Sequence, residues 1–243
     1  MNAFDLAVGS VFCGAGNNER LLAIQLQALD RTTSGFDHFV YLNNADERLF
    51  TRSTIVGASN VVREATPGHL DGLRALCETF RNRTYKHYLI LDSDCFPISQ
   101  NWLQTLELAI TRAGKGFAAP ARVENLHFFP HPCVLYTSNP AYLEFEVGEG
   151  VNFLGESFSD ISCAGPREMW FPLLKTNRVS PHPFLAAIYY DSFYHHGCGT
   201  RPFGMRSATT IYYEHVLPRC AAPEELMQQF LTNPDELLQT LRS

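Results

Sequence analysis

The sequence predicts an α/β fold: a mainly parallel central sheet with helices on both faces, and a smaller, partly antiparallel second lobe. Three observations carry that prediction. The first half alternates short apolar runs with amphipathic stretches four times, the pattern of parallel strands joined by crossover helices. Tyr88-Leu89-Ile90-Leu91 is a continuous apolar run, as a strand buried on both faces requires, and it leads straight into Asp92-Ser93-Asp94. The 243 residues are 45% hydrophobic and 18% charged, so a full core can form without staples.

Leu6 to Phe12 is the first apolar run and reads as a strand. Gly14-Ala15-Gly16-Asn17 makes a turn, and Asn17 can cap a helix carrying Leu22, Leu26 and Leu29 on one face. Gly35 closes that connection. His38 to Leu42 is the second strand, ending at Asn43-Asn44, and Asn60 to Arg63 is expected as a short third. Thr66-Pro67 looks like a cap followed by proline at the first helical position, after which Leu70, Leu73, Cys77 and Phe80 share a face. Beyond the acidic strand, Ser99 is expected to cap a helix with Leu103, Leu106, Ile110 and Ala113 inward and Gly114 at its end.

The second half has a different texture. Phe117 to Pro120 and Cys133 to Thr137 look like strands separated by a Pro- and His-containing stretch, 127–132. Gly148 to Gly165 is rich in Gly, Ser and acids and is expected as a loop over the site. Ile188 to His195 reads as one strand, and two short helices begin at Pro223 and Pro234. With no internal repeat, the economical division is one domain over 1–243, made of parts 1–115, 116–220 and 221–243.

A net charge of −6 argues against a nucleic-acid surface, which needs clustered Lys and Arg, but leaves room for a small anion held by a metal and local cations. The 7 cysteines are widely spaced and include no CxxC pair, which argues against a disulfide framework and a zinc knuckle and speaks for reduced thiols in a cytoplasmic protein. Met1 to Asp5 has no basic leader, and no apolar run reaches the ~18 residues of a membrane span. A peripheral membrane contact is compatible with this composition.

Asp92 and Asp94 are the first chemical candidates. Residues two apart in an extended chain point the same way, so both carboxylates can reach one ion. Ligands of open α/β sheets collect beyond the carboxyl ends of the strands. Mg²⁺ or Mn²⁺ held there would complete its shell with phosphate oxygens of a substrate. Asp-Ser-Asp is also good turn chemistry; the buried strand before it and the capped helix behind it favour the metal. His195-His196-Gly197-Cys198-Gly199-Thr200-Arg201 is the second cluster. An imidazole can ligate the same ion, and strand alternation lets one of His195 and His196 face it. Arg201 can neutralise a departing diphosphate. Gly14 to Glu19 lacks the third glycine of a dinucleotide fingerprint and has Glu19 there, which opposes pyrophosphate. The loop can still line a nucleotide pocket, with Phe12, Gly14, Asn43, Asp46, Arg74, Asp92, Ser93 and Arg201 as candidates for nucleotide and substrate contacts.

In Asp92-Ser93-Asp94 and in the segment His195 to Phe203 the chain resembles GT-A fold glycosyltransferases. Those enzymes share a βαβα nucleotide-binding half and a central strand ending in a DxD motif. The late segment is similar to the metal-binding histidine, glycine and Lys-Pro-Trp run of glycogenin-like retaining enzymes, with Arg201-Pro202-Phe203 standing in. Leu91-Asp92-Ser93-Asp94 is equally similar to small inverting bacterial transferases. The resemblance implies a nucleoside diphosphate sugar donor, Mn²⁺ or Mg²⁺ bridging Asp94 and the diphosphate, and a sugar or other hydroxyl acceptor bound by the second half. If the enzyme inverts, Asp160 or Glu156 in the Gly/Ser-rich loop would be the general base. Three rivals stay open: a haloacid-dehalogenase-type phosphatase, a nucleotidyltransferase, and a non-catalytic nucleotide-sugar-binding module. The first expects its DxD near the start of the domain, and the second expects a basic glycine-rich first loop; this chain has neither.

Overall fold

The alternating faces of the first strand organise the structure, a computed structural model that describes residues 4–13, 18–60, 65–122, 127–130, 132–143, 163–164, 168–171 and 186–196. Strand β1 (Leu6–Cys13) turns Leu6, Val8 and Phe12 into one core and Ala7 and Val11 into another. Helix α1 (Asn18–Thr32) covers the first face with Leu21, Leu22, Leu26 and Leu29. Helix α2 (Ala65–Arg81) covers the second with Leu70, Leu73, Leu76, Cys77 and Phe80. Strands β1 (Leu6–Cys13), Asp37–Asn43 and His87–Asp92 thus bury both of their sides, which is why the sequence shows unbroken apolar runs there rather than alternation.

Beside β1 run β2 (Asp37–Asn43) and, on the other side, β4 (His87–Asp92), both parallel to it; β3 (Thr54–Ser59) extends the sheet past β2, also in parallel. After β4 come β5 (Cys95–Pro97), helix α3 (Trp102–Ala113), β6 (Phe117–Ala118), β7 (Ala121–Arg122), β8 (His127–Pro130) and β9 (Val134–Thr137). Then follow β10 (Cys163–Ala164), β11 (Glu168–Phe171), β12 (Ala186–Tyr189) and β13 (Phe193–His196). Among the described residues the main sheet has the order β10-β6-β9-β4-β1-β2-β3, and β9 is its antiparallel member. A second sheet, β11-β12-β13-β5, is antiparallel at each pairing. The predicted α/β class, with a mainly parallel centre, helices on both faces and a partly antiparallel remainder, is what the molecule adopts.

Several boundaries differ from the sequence expectation. Of the strand expected at Asn60 to Arg63, Asn60 lies in no strand and the rest falls outside the described residues; a strand at Thr54–Ser59, not foreseen, pairs with β2 up to Asn43↔Ser59. There the Asn44 N–H donates to the Ser59 carbonyl at 2.7 Å. Helix α2 begins at Ala65, so Thr66 and Pro67 are already inside it. Ser99 does not cap α3: its Oγ accepts the Asn101 N–H at 3.2 Å, and Asn101 occupies the N-cap position without a side-chain cap bond. Trp102, not Ala113, anchors that helix, fully buried against Phe193. Gly114 does end it, in the left-handed conformation at φ 62°. Ile188 to His195 is a hairpin, turned at Tyr190 and Asp191 with φ near +50° at both. The stretch expected as a separator, 127–132, contains β8, which pairs with β7. The helices expected at Pro223 and Pro234, and most of the loop 148–165, lie outside the described residues.

Candidate metal centre

Strand β4 stops at Asp92, and Ser93-Asp94 form a turn into β5. The chain changes sheets there: β4 lies between β1 and β9, whereas β5 pairs with β13. The register His195↔Cys95 then fixes the late histidine beside the acidic turn. His195 Nε2 lies 3.4 Å from Asp94 Oδ1 and 3.7 Å from Asp92 Oδ2. One ligand atom from each of Asp92, Asp94 and His195 falls within 4.8 Å of the others. Asp94 and His195 are buried, and Asp92 is half-buried, so the cluster opens on the side of Asp92.

Two ionised carboxylates so close would repel by roughly 3.5 kcal/mol or more at an effective dielectric of about 20, a cost that a cation between them reverses. The imidazole is held from behind, with Tyr189 Oη 3.3 Å from His195 Nδ1 and the two rings tilted together at 5.8 Å. When Nδ1 carries the proton, its Nε2 lone pair faces the acids, the tautomer a metal ligand needs. Two oxygens and one nitrogen with an open side make a donor set that can hold a divalent cation and leave positions for a ligand.

Two further residues touch this turn and carry no signal in the linear sequence. His69, in the first turns of α2, places Nε2 3.2 Å from Asp92 Oδ1. Tyr88 and Ile90 face the α2 side, and by strand alternation Asp92 does too. The start of α2 follows β3 at the same carboxyl edge, so a histidine there was findable from topology, though not from a motif. Gln25, fully buried on α1, accepts from Ser10 Oγ at 2.8 Å and donates to the carbonyls of Asp92 (3.0 Å) and Cys95 (2.9 Å).

The remaining predicted residues are dispersed. Ser93 is buried within the turn. Phe12 is fully buried in the core, 4.8 Å from Phe50 ring to ring. Asn43 is buried at the end of β2, where its Oδ1 accepts from Ser59 Oγ at 2.9 Å. Asp46 caps a short 3₁₀ turn (Glu47–Leu49) and pairs with Arg48 at 2.6 Å, which holds its carboxyl down at about 2. Arg74 is exposed on α2 and pairs with Asp71 at 3.2 Å. His196 follows His195 on β13, in register with Ala186. Gly14, Glu156, Asp160 and Arg201 lie outside the described residues.

No family model matches the chain, and no curated protein does. Solved structures similar to it include S. aureus TarS 1-349, at 10% identity and a TM-score of 0.42, over 67% of this chain and 58% of that one. The glycosyltransferase GlyE of Streptococcus pneumoniae is 16% identical with a TM-score of 0.43, over 68% and 45%. The mannosyltransferase PcManGT of Pyrobaculum calidifontis, solved with GDP-Man and Mn²⁺, is 11% identical with a TM-score of 0.42, over 66% and 54%. The chain spans roughly half the length of these three structures. Among the described residues no helix is long and apolar enough to cross a membrane.

Proposed function

We propose that this chain is a metal-dependent glycosyltransferase that moves a sugar from a nucleoside diphosphate sugar to a hydroxyl acceptor. The observation that carries the reading is the convergence of Asp92, Asp94 and His195 at the carboxyl edge of the parallel sheet. Those three side chains would hold Mn²⁺ or Mg²⁺, and the nitrogen donor favours Mn²⁺. The bound cation would supply charge neutralisation for the diphosphate as it departs. Residues 1–115 would bind the donor and 116–220 the acceptor, with 221–243 as terminal helices. Arg201 would share the diphosphate charge, and Asp160 or Glu156 would take the acceptor proton if the anomeric configuration inverts.

The test is thermal unfolding with UDP or GDP, with and without Mn²⁺ or Mg²⁺. A nucleotide at about a hundred times its Kd adds about 2.7 kcal/mol, hence roughly 5–10 °C in Tm for a chain of this length. The shift is expected only with metal present, and Asp94→Ala is expected to abolish it while keeping the fold. A shift that survives in chelator overturns the cation assignment. Nucleotide-sugar hydrolysis or transfer then separates an enzyme from a binding module, since the latter shows the shift and no turnover.

A further inference from the structure

We infer that Gln25 is a positioning residue whose carboxamide clamps the Asp92–Cys95 turn and keeps the two carboxylates convergent. The inference rests on the cation reading given above, and extends it to a helix that has no residue in the cluster.

The turn is an unusual place for order. Its two ends belong to different sheets, so neither sheet's ladder holds both. On the β4 side, the Asp92 N–H donates to the Cys133 carbonyl at 3.1 Å. On the β5 side, the Ile98 N–H donates to the Ser192 carbonyl at 2.8 Å. Gln25 spans the gap between these anchors. Its single Nε2 donates to the carbonyls of Asp92 and Cys95, so both amide hydrogens are used, one on each end of the turn. The amide orientation is fixed by its partners. Oε1 accepts from the Ser10 hydroxyl, and a flipped amide would set that oxygen against two carbonyls. Ser10 and Gln25 are both fully buried, so water offers no substitute for these bonds.

The distance between the two ends of the turn governs where the side chains between and beside them point. A clamp on the backbone carbonyls therefore acts on the carboxylates without touching them. Strand β1 supports the clamp because Ser10 lies on its α1-facing side, in register with Leu91, one residue before the first acid.

Gln25→Met keeps the shape of the side chain and removes the three hydrogen bonds. Two readouts are made on the full chain: Mn²⁺ affinity by titration calorimetry, and amide hydrogen exchange. The expected result is Mn²⁺ binding at least tenfold weaker, with exchange at Asp92 and Ile98 at least tenfold faster. The Val8 amide, in the middle of buried β1 between β2 and β4, reports global opening and is expected to keep its rate. General destabilisation would accelerate all three amides together. Equal acceleration, or unchanged Mn²⁺ affinity, overturns the clamp. Should Gln25→Met fail to fold, Ser10→Ala loosens the amide more gently, and two- to fivefold changes in the same directions are expected; no change in either readout overturns the inference. If the unsubstituted protein binds neither Mn²⁺ nor Mg²⁺, the cation reading fails, and the local exchange pattern alone decides whether Gln25 holds the turn.

Discussion

His38 stands in β2 with Nδ1 2.8 Å from Ser53 Oγ, while its buried Nε2 has no hydrogen-bond partner. Burial, and then the nearby Arg52 charge, push its pKa down to about 3. The unfolded chain takes up this proton near pH 6.5 and the folded one only near 3, so between those values the unfolded state binds more protons. Stability is therefore complete above pH 6.5 and is lost as pH falls, by about 1.4 kcal/mol per unit from this group. Urea midpoints at pH 7 and pH 5 measure it. In His38→Leu, about one proton's worth of that slope is expected to vanish. At this scale the sequence was informative where neighbours in the chain are neighbours in space. Asp92 and Asp94 were readable because they stand two residues apart, although a turn at Ser93-Asp94, not the extended chain that the sequence suggested, brings them together. His69 and Gln25 were not, because each meets the turn only through helix packing. Phe12 was assigned to the pocket because it ends a strand, yet its ring belongs to the core under α1.

At the scale of elements, α2 approaches β1 closely because glycines stand on both sides of the contact. A Cβ at Gly72 would lie 2.7 Å from both Val11 methyls, and one at Gly9 would lie 2.9 Å from Leu76 and Phe80. Gly72→Ala gains about 1 kcal/mol of helix propensity but meets atoms that must move, which costs typically 1–3 kcal/mol. A net loss is expected, read as a lower urea midpoint. The same closeness sets the start of α2 against the sheet edge, where Gly68 abuts the Asn43 side chain and His69 meets Asp92. The helix faces were legible from their spacing, since Leu70, Leu73, Cys77 and Phe80 are all buried. The β12–β13 hairpin was not. Its turn uses Tyr190-Asp191 in place of an Asn-Gly signal, so the apolar run read as one strand.

At the scale of the molecule, the acids and the histidine come from segments that local pattern cannot join. The α/β class was legible because strand and helix alternate through the first half, while the second sheet was visible only as a change of texture. Its strands are short, and one of them, β5, is borrowed from the first half. Contacts of high sequence separation form slowly, because a long loop must close first. In pulse-labelled refolding, the amides of β1, β2 and β4 are accordingly expected to gain protection before those of β13. The pairing of β5 with β13 has a consequence for synthesis on the ribosome. A nascent chain that has emerged only through β9 possesses both aspartates but lacks the imidazole that faces them. On the proposed reading, ion capture by all three donors would report that the hairpin has been made and seated, so metal loading would mark that synthesis has passed His195.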